Sequence, residues 1–320
     1  MSHDILVEVE GVSRFYGSIR AVDNVSFTIR QGPVLGFLGP NGAGKTTTMQ
    51  MLSGNLAPSS GRIRIAGHDL LEAPRAAKAA MGYLPEQPPV YRELTVDEYL
   101  DYCAALHRLA RAQRKAARDT AKERCGLTEV GRRLIGNLSK GYQQRVGLAQ
   151  AIIHLPPVII LDEPTVGLDP IQIREIRHLI RDLGKEHGVI LSTHILPEVQ
   201  ATCDQVQIIN KGQLVLNDSI IGLSQHMQSA ALSVALRRAP DLDVIRALAG
   251  VTSLQEESDG RLHIFYEPEN DPTDRLLRLA VEKNWGLFEL MPQRASLEDI
   301  FVQLTTDETP AHPHTPEVRA

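Results

Sequence analysis

The segment Gly39-Pro40-Asn41-Gly42-Ala43-Gly44-Lys45-Thr46 fits G-x-x-x-x-G-K-[ST] at every fixed position. Its chemistry is the binding of a triphosphate, which needs many donors at short range. Glycines let successive backbone N–H groups turn inward, and a helix N-terminus adds the positive end of its dipole. The cradle is the backbone of Gly39, Asn41, Gly42, Ala43 and Gly44. In that setting Lys45 reaches the β- and γ-phosphates, the Thr46 hydroxyl ligates Mg²⁺, and Thr47 donates to the α-phosphate. A second group is Val158-Ile159-Ile160-Leu161-Asp162-Glu163-Pro164, an apolar run ending in two adjacent acids. Adjacent carboxylates repel, so their placement at one strand tip points to a cation and a task. Asp162 is the candidate to hold Mg²⁺ through water, and Glu163 to orient and deprotonate an attacking water as general base.

Such groups need strands to hold them. Val34–Leu38 is apolar without alternation, as a strand buried on both faces would be, and the glycine-rich turn and a helix to about Leu52 follow it. Strand, loop and helix in that order open a nucleotide-binding βα unit. Val158–Leu161 and Val189–Ser192 read as two further doubly buried strands. Ahead of the loop, Ile5, Val7 and Val9 alternate with polar residues, Gly11 is expected to turn the chain, and a strand runs near Val22–Ile29. Val206–Ile209 and Gln213–Val215 form a hairpin around Lys211-Gly212. Thr95 and Glu98 have capping-box spacing ahead of a helix carrying Tyr99, Cys103 and Leu106. Arg111, Lys115, Arg118 and Lys122 share one face of the next helix, a solvated face or a contact with anionic lipid or a partner. A further helix follows Ser139.

The chain has 320 residues, enough for about two domains. A net charge of −5 and 42% hydrophobic residues suit an ordinary globular protein and argue against a dedicated nucleic-acid binder. Cys103, Cys125 and Cys203 are too few and scattered for a disulfide framework or zinc cluster, and read as small apolar residues. No segment approaches the eighteen or so apolar residues of a membrane span. Met1-Ser2-His3-Asp4 lacks the basic start and apolar run of a signal peptide, so a secreted product is not expected.

Composition breaks near Gly222–Ser229. Strand (Ala231–Arg237), helix (Leu242–Ala249), strand (Thr252–Glu256), strand (Arg261–Tyr266), helix (Pro272–Asn284) and strand (Gly286–Met291) then follow, the βαββαβ order of a ferredoxin-like domain. A short helix is expected from Ser296, carrying Ile300, Phe301 and Leu304, and the Thr-, Pro- and His-rich residues 305–320 are expected to be a disordered tail.

With these residues in place, the chain resembles the ATP-binding subunit of an ABC transporter. Leu138-Ser139-Lys140-Gly141-Tyr142, followed by Gln143-Gln144-Arg145, is similar to the signature motif, commonly leucine-serine-glycine-glycine-glutamine. Ser139 and Gly141 are retained, whereas Lys140 and Tyr142 depart from the common form; Lys140 adds a cation close to where phosphate would bind. Tyr16, before Gly17, stands where the family stacks an aromatic ring on adenine. Gln87, in Gly82-Tyr83-Leu84-Pro85-Glu86-Gln87, matches the glutamine that senses Mg²⁺ and the attacking water. Gly167-Leu168-Asp169 looks like the loop coupling two ATP sites, and His194 matches the switch histidine at the γ-phosphate. The likeness covers roughly residues 5–217. A finer likeness is to cassettes that pair with ABC-2-type permeases in the gliding-motility and multidrug-export group, through Gly82–Gln87, Ser139-Lys140-Gly141 and Ala295–Phe301.

The resemblance implies an α/β fold: an ABC-type P-loop NTPase core, residues 1–222, with an inserted helical subdomain at about 92–155. The small ferredoxin-like α+β accessory domain would span 223–304. It implies ATP and Mg²⁺ as cofactors, bound between the phosphate loop of one subunit and the Ser139 and Gly141 of another. One copy of each motif means dimerisation, with a second copy or a homologous cassette. A polytopic membrane permease is the implied partner, its coupling helix docking near Gln87–Tyr91, with no covalent membrane anchor. The protein would then sit at the cytoplasmic face of the inner (plasma) membrane, peripheral through the permease, and act in export. The C-terminal domain reads as a dimerisation or stabilising lobe, or as a ligand sensor or partner clamp. The alternatives are a soluble ABC ATPase of translation or DNA maintenance, and an ATP-dependent regulatory module; neither paired cassettes, a coiled-coil insertion nor zinc-type cysteine pairs are seen.

Overall fold

An apolar run without alternation is stable as a strand only when both its faces are covered. In the computed structural model this holds for β3 (Val34–Leu38), β7 (Val158–Asp162) and β8 (Gly188–Thr193), every residue of which is buried. The structure describes residues 5–220, 230–256, 261–267 and 269–294. The chain divides into two units, Met1–Ile220 and Ile221–Ala320.

In the first unit, β1 (Ile5–Tyr16) and β2 (Ile19–Arg30) pair with β4 (Ser60–Ile65) and β5 (His68–Asp69) in an antiparallel sheet of order β2-β1-β4-β5. A second, six-stranded sheet has the order β10-β9-β3-β8-β7-β6, with β6 at Met81–Leu84, β9 at Gln205–Asn210 and β10 at Gln213–Ser219. Its strands run parallel except β10, which returns antiparallel through the hairpin at Lys211-Gly212. Val7, Val9 and Ile65 of the first sheet share one core with Leu35, Phe37, Ile160 and Ile190 of the second. Helix α1 (Lys45–Leu52) joins that core through Met49, Met51 and Leu52, all fully buried. Gly11 does not end the first strand: it sits at φ +57 inside β1, where pairing slips between Val9 and Val12, so a bulge replaces the expected turn.

Helix α2 (Pro74–Ala79) precedes β6, and between β6 and β7 the chain is helical: α3 (Val96–Leu106), α4 (Arg111–Cys125) and α5 (Lys140–Ile152). Thr95 and Glu98 form a reciprocal capping box, which fixes where α3 begins. The basic face of α4 is not simply solvated. Arg118 pairs with Asp101 at 2.7 Å and Lys122 with Asp97 at 2.6 Å, so two of its four cations lace α4 to α3. The other two, Arg111 and Lys115, are exposed and keep the expected surface character, with Lys115 bonded to Asp119 one turn along. Helices α6 (Pro170–Gly184) and α7 (Leu196–Thr202) follow β7 and β8. Cys103, Cys125 and Cys203 are free and buried, and burial pushes the Cys103 thiol up to about 11.

The second unit is built from β11 (Ala230–Leu236), α8 (Leu242–Arg246), β12 (Val251–Glu256), β13 (Leu262–Tyr266), α9 (Thr273–Glu282) and β14 (Leu287–Arg294). Its antiparallel sheet has the order β12-β13-β11-β14, and one face packs Leu232, Val234, Ile264, Ile245, Leu276 and Trp285 into a core of its own. The helix expected from Ser296 and the tail 305–320 lie outside the described residues, as does Ala295–Phe301. Among the described residues no helix is long and apolar enough to cross a membrane.

Candidate active site

The phosphate-loop residues are positioned by β3 and by the first turn of α1. Gly44 is the N-cap of α1 at φ +105, and a Cβ there would stand 2.4 Å from the Ala21 carbonyl oxygen, so only glycine fits. Asn41, Gly42, Gly44, Lys45, Thr46 and Thr47 line a cavity of about 390 Å³, and Glu163 and His194 line it from the other side. Gly39 and Ala43 of the same loop are buried and do not line the cavity.

The ends of the parallel strands bring the polar groups together, because β7 and β8 run in register with Asp162 opposite Ser192. The Ser192 hydroxyl donates to Asp162 at 2.7 Å, and Asp162 is 1% exposed. Burial pushes the Asp162 carboxyl up, opposed by the Ser192 bond and by Lys45, and reinforced by Glu163 and Glu86. A buried carboxylate in that state is stabilised by a cation. With the Thr46 hydroxyl at the cavity wall it offers the hard oxygen donors that suit Mg²⁺.

Glu163 follows in the left-handed region at φ +47, rare for a residue with a Cβ, held there by its N–H bond to the Ser192 carbonyl. That conformation turns its side chain to the cavity. Its carboxylate accepts from His194 Nδ1 at 2.9 and 3.1 Å, and lies 3.5 Å from Lys45 Nζ. A carboxylate, a cation and an imidazole thus meet at the mouth of a glycine-rich loop that starts a helix. Such a set can bind a triphosphate and accept a proton from water.

A protein-family model described as ABC transporter matches residues 22–166. Over 94% of its length the chain is 35% identical to an uncharacterized ABC transporter ATP-binding protein of Bacillus subtilis, YdbJ, covering 96% of that protein. The chain belongs to the ABC transporter family, as an ATP-binding subunit. It is 33% identical to the bacitracin transport ATP-binding protein BcrA of Bacillus licheniformis, over 93% of this chain and 97% of that one. Among solved structures, the ATP-binding subunit of an ABC transporter superposes with TM-score 0.63 at 30% identity, covering 69% of this chain and 92% of that one. This ABC subunit is therefore an ATPase of the cassette fold.

The remaining expected residues lie elsewhere on the subunit. Gln87 lines a neighbouring cavity of about 510 Å³ with Glu86, Arg92, Lys140, Gln143 and Gln144. Ser139 is the N-cap of α5, its hydroxyl accepting from the Tyr142 N–H at 3.4 Å. Asp169 caps α6, accepting from the Ile171 and Gln172 N–H groups at 3.0 and 2.9 Å. Gly141 packs on Gln172, and the Lys140 ammonium lies directly over Gly167, whose φ of +72 is in the left-handed region that favours glycine. The unusual Lys140 thus covers the loop that leads to Asp169. Tyr16, at the end of β1, is 46% exposed beneath the Arg14 guanidinium at 4.8 Å, and does not line the phosphate-loop cavity.

Two site residues escape a reading by motif. Glu86, next to Gln87, lines both cavities. Ser192 holds Asp162 from thirty residues away, and only the strand register signals it.

Proposed function

We propose that this subunit is the motor of an ABC-2-type exporter, hydrolysing ATP at a dimer interface to drive a separate permease. The observation that carries the reading is the cluster of Glu163, His194 and Lys45 around one cavity at the phosphate loop. Lys45 binds the β- and γ-phosphates, the N–H groups from Gly39 to Thr47 cradle the chain of phosphates, and Tyr16 stacks on adenine. Glu163 orients the attacking water and takes its proton on a carboxylate oxygen while the water oxygen bonds to the γ-phosphorus. The β–γ bridging bond then breaks, and ADP leaves with the bridging oxygen. His194, bonded to Glu163 through Nδ1, keeps its other nitrogen for the γ-phosphate. Thr46, Asp162 and Gln87 would hold Mg²⁺, which when bound neutralises charge on the phosphate oxygens.

Ser139 and Gly141 complete the site of a second copy or a homologous cassette, and Asp169 couples the two sites. ATP closes the dimer because the closed state binds the γ-phosphate better than the open one, and hydrolysis reopens it. The permease docks near Gln87–Tyr91, which keeps the subunit at the cytoplasmic face of the plasma membrane. The likeness to a protein named for bacitracin transport supports a role in transport. Residues 223–304 serve as a stabilising or dimerising lobe.

Affinity purification of the chain from native membranes in mild detergent tests the reading. A polytopic protein recovered in stoichiometric amount is expected. Recovery only with ribosomes or DNA, or as a free ATPase, would overturn it.

A further inference from the structure

β8 and the turn after it present three consecutive polar residues, Ser192, Thr193 and His194, and each is bonded to a different carboxylate. Ser192 donates to Asp162 at 2.7 Å, Thr193 Oγ1 to Glu198 Oε2 at 2.8 Å, and His194 Nδ1 to Glu163 at 2.9 Å. The first and third bonds belong to the site described above. The second does not: Glu198 sits on α7, 1% exposed, and lines no part of the phosphate-loop cavity.

A carboxylate removed from water is unfavourable unless its bonds are met, so a buried glutamate one turn from His194 calls for a physical account. The hydroxyl of Thr193 has one proton, and the carboxylate of Glu198 takes it. A lone pair of the same oxygen then accepts the Ile195 N–H at 3.1 Å. One oxygen atom therefore joins the residues on either side of His194, and Glu198 anchors that oxygen. The second carboxylate oxygen, Oε1, lies 3.5 Å from Nη2 of Arg177 on α6, too far for a hydrogen bond but close enough for an ion pair. Helix α6 is the one capped by Asp169.

We propose that Glu198 is a positioning residue for ATP hydrolysis. Through Thr193 it holds the turn that sets His194 against Glu163, and through Arg177 it ties that turn to the helix that begins at Asp169. The inference rests on the reading of Glu163 and His194 as the hydrolytic pair. It makes the charge on α6 part of the device that aims the imidazole. A movement of α6 at the Asp169 end would reach His194 through two side chains, Arg177 and Glu198, and one hydroxyl.

The test uses the full chain with Thr193→Val, Thr193→Ser and Glu198→Ala, each also combined with His194→Ala, and reads kcat and KM for ATP. Misplacing a reacting group by a fraction of an ångström costs about tenfold to a hundredfold in rate. Thr193→Val, nearly isosteric, and Glu198→Ala should lower kcat by about that factor, with KM for ATP changed less than about threefold. Thr193→Ser, which keeps the hydroxyl, should restore kcat to within about threefold. In the His194→Ala background, read as single-turnover rates, neither substitution should cost more, because no imidazole remains to be aimed. Full kcat in Thr193→Val, or the same loss with and without His194, would overturn the inference. If Glu198→Ala does not fold, Thr193→Val carries the test alone. The two failures separate cleanly: full activity of His194→Ala defeats the reading of the site, whereas an inactive His194→Ala beside an unimpaired Thr193→Val defeats only the positioning role.

Discussion

The Nζ of Lys45 stands 3.5 Å from Oε1 of Glu163, with both side chains less than a tenth exposed. The same ammonium donates to the Gly39 and Pro40 carbonyls at 2.9 and 3.2 Å, so the glycine-rich loop itself holds the cation that faces Glu163. Salt screens a pair at this depth little, and each partner offsets the other's desolvation. The phosphate loop and the acid at the end of β7 therefore act as one electrostatic unit.

Lys45→Ala removes the cation from both. A charge-assisted hydrogen bond is worth about 1.5–3 kcal/mol, so ATP affinity should fall by about tenfold or more. Isothermal titration with ATP measures it. Unchanged affinity would remove Lys45 from the phosphate site.

A pH response follows from the end of α5. The His154 ring lies face to face on His107, centroids 3.7 Å apart, and its Nε2 donates to the Met81 carbonyl at 3.0 Å. Nδ1 is then buried without a hydrogen-bond partner, so a proton there would have no acceptor. Burial, with the neighbouring His107, pushes the His154 pKa down to about 4. An unfolded histidine titrates near 6.5, so between about pH 6.5 and 4 the unfolded chain binds more protons. Stability should be full above that window and fall as the pH drops through it. Urea midpoints at pH 7, 6 and 5 should decline, and less steeply in His154→Gln. Equal slopes in the two proteins would refute the assignment.

Much of the first unit was legible because its signals are local. The run Val158–Leu161, the glycines from Gly39 to Gly44 and the Thr95–Glu98 capping box each carry their structural reason within a few residues. What the sequence hid depends on distant pairing. The charges of Arg118 and Lys122 look solvated until α3 brings Asp101 and Asp97 against them. Ser192 and Glu198 acquire their meaning only from strand register and a turn, which bring one to Asp162 and the other to Thr193. Gly11 misled because glycine serves a bulge as readily as a turn.

The central claim is that Glu163 is the base at this site, and Glu163→Gln in the full chain tests it most directly. The amide keeps the shape and loses the proton acceptor, so ATP should still bind while turnover falls by about a hundredfold or more. A two-copy species retaining ATP should then appear on size-exclusion chromatography. Hydrolysis at the parental rate, with no such species, would contradict the account.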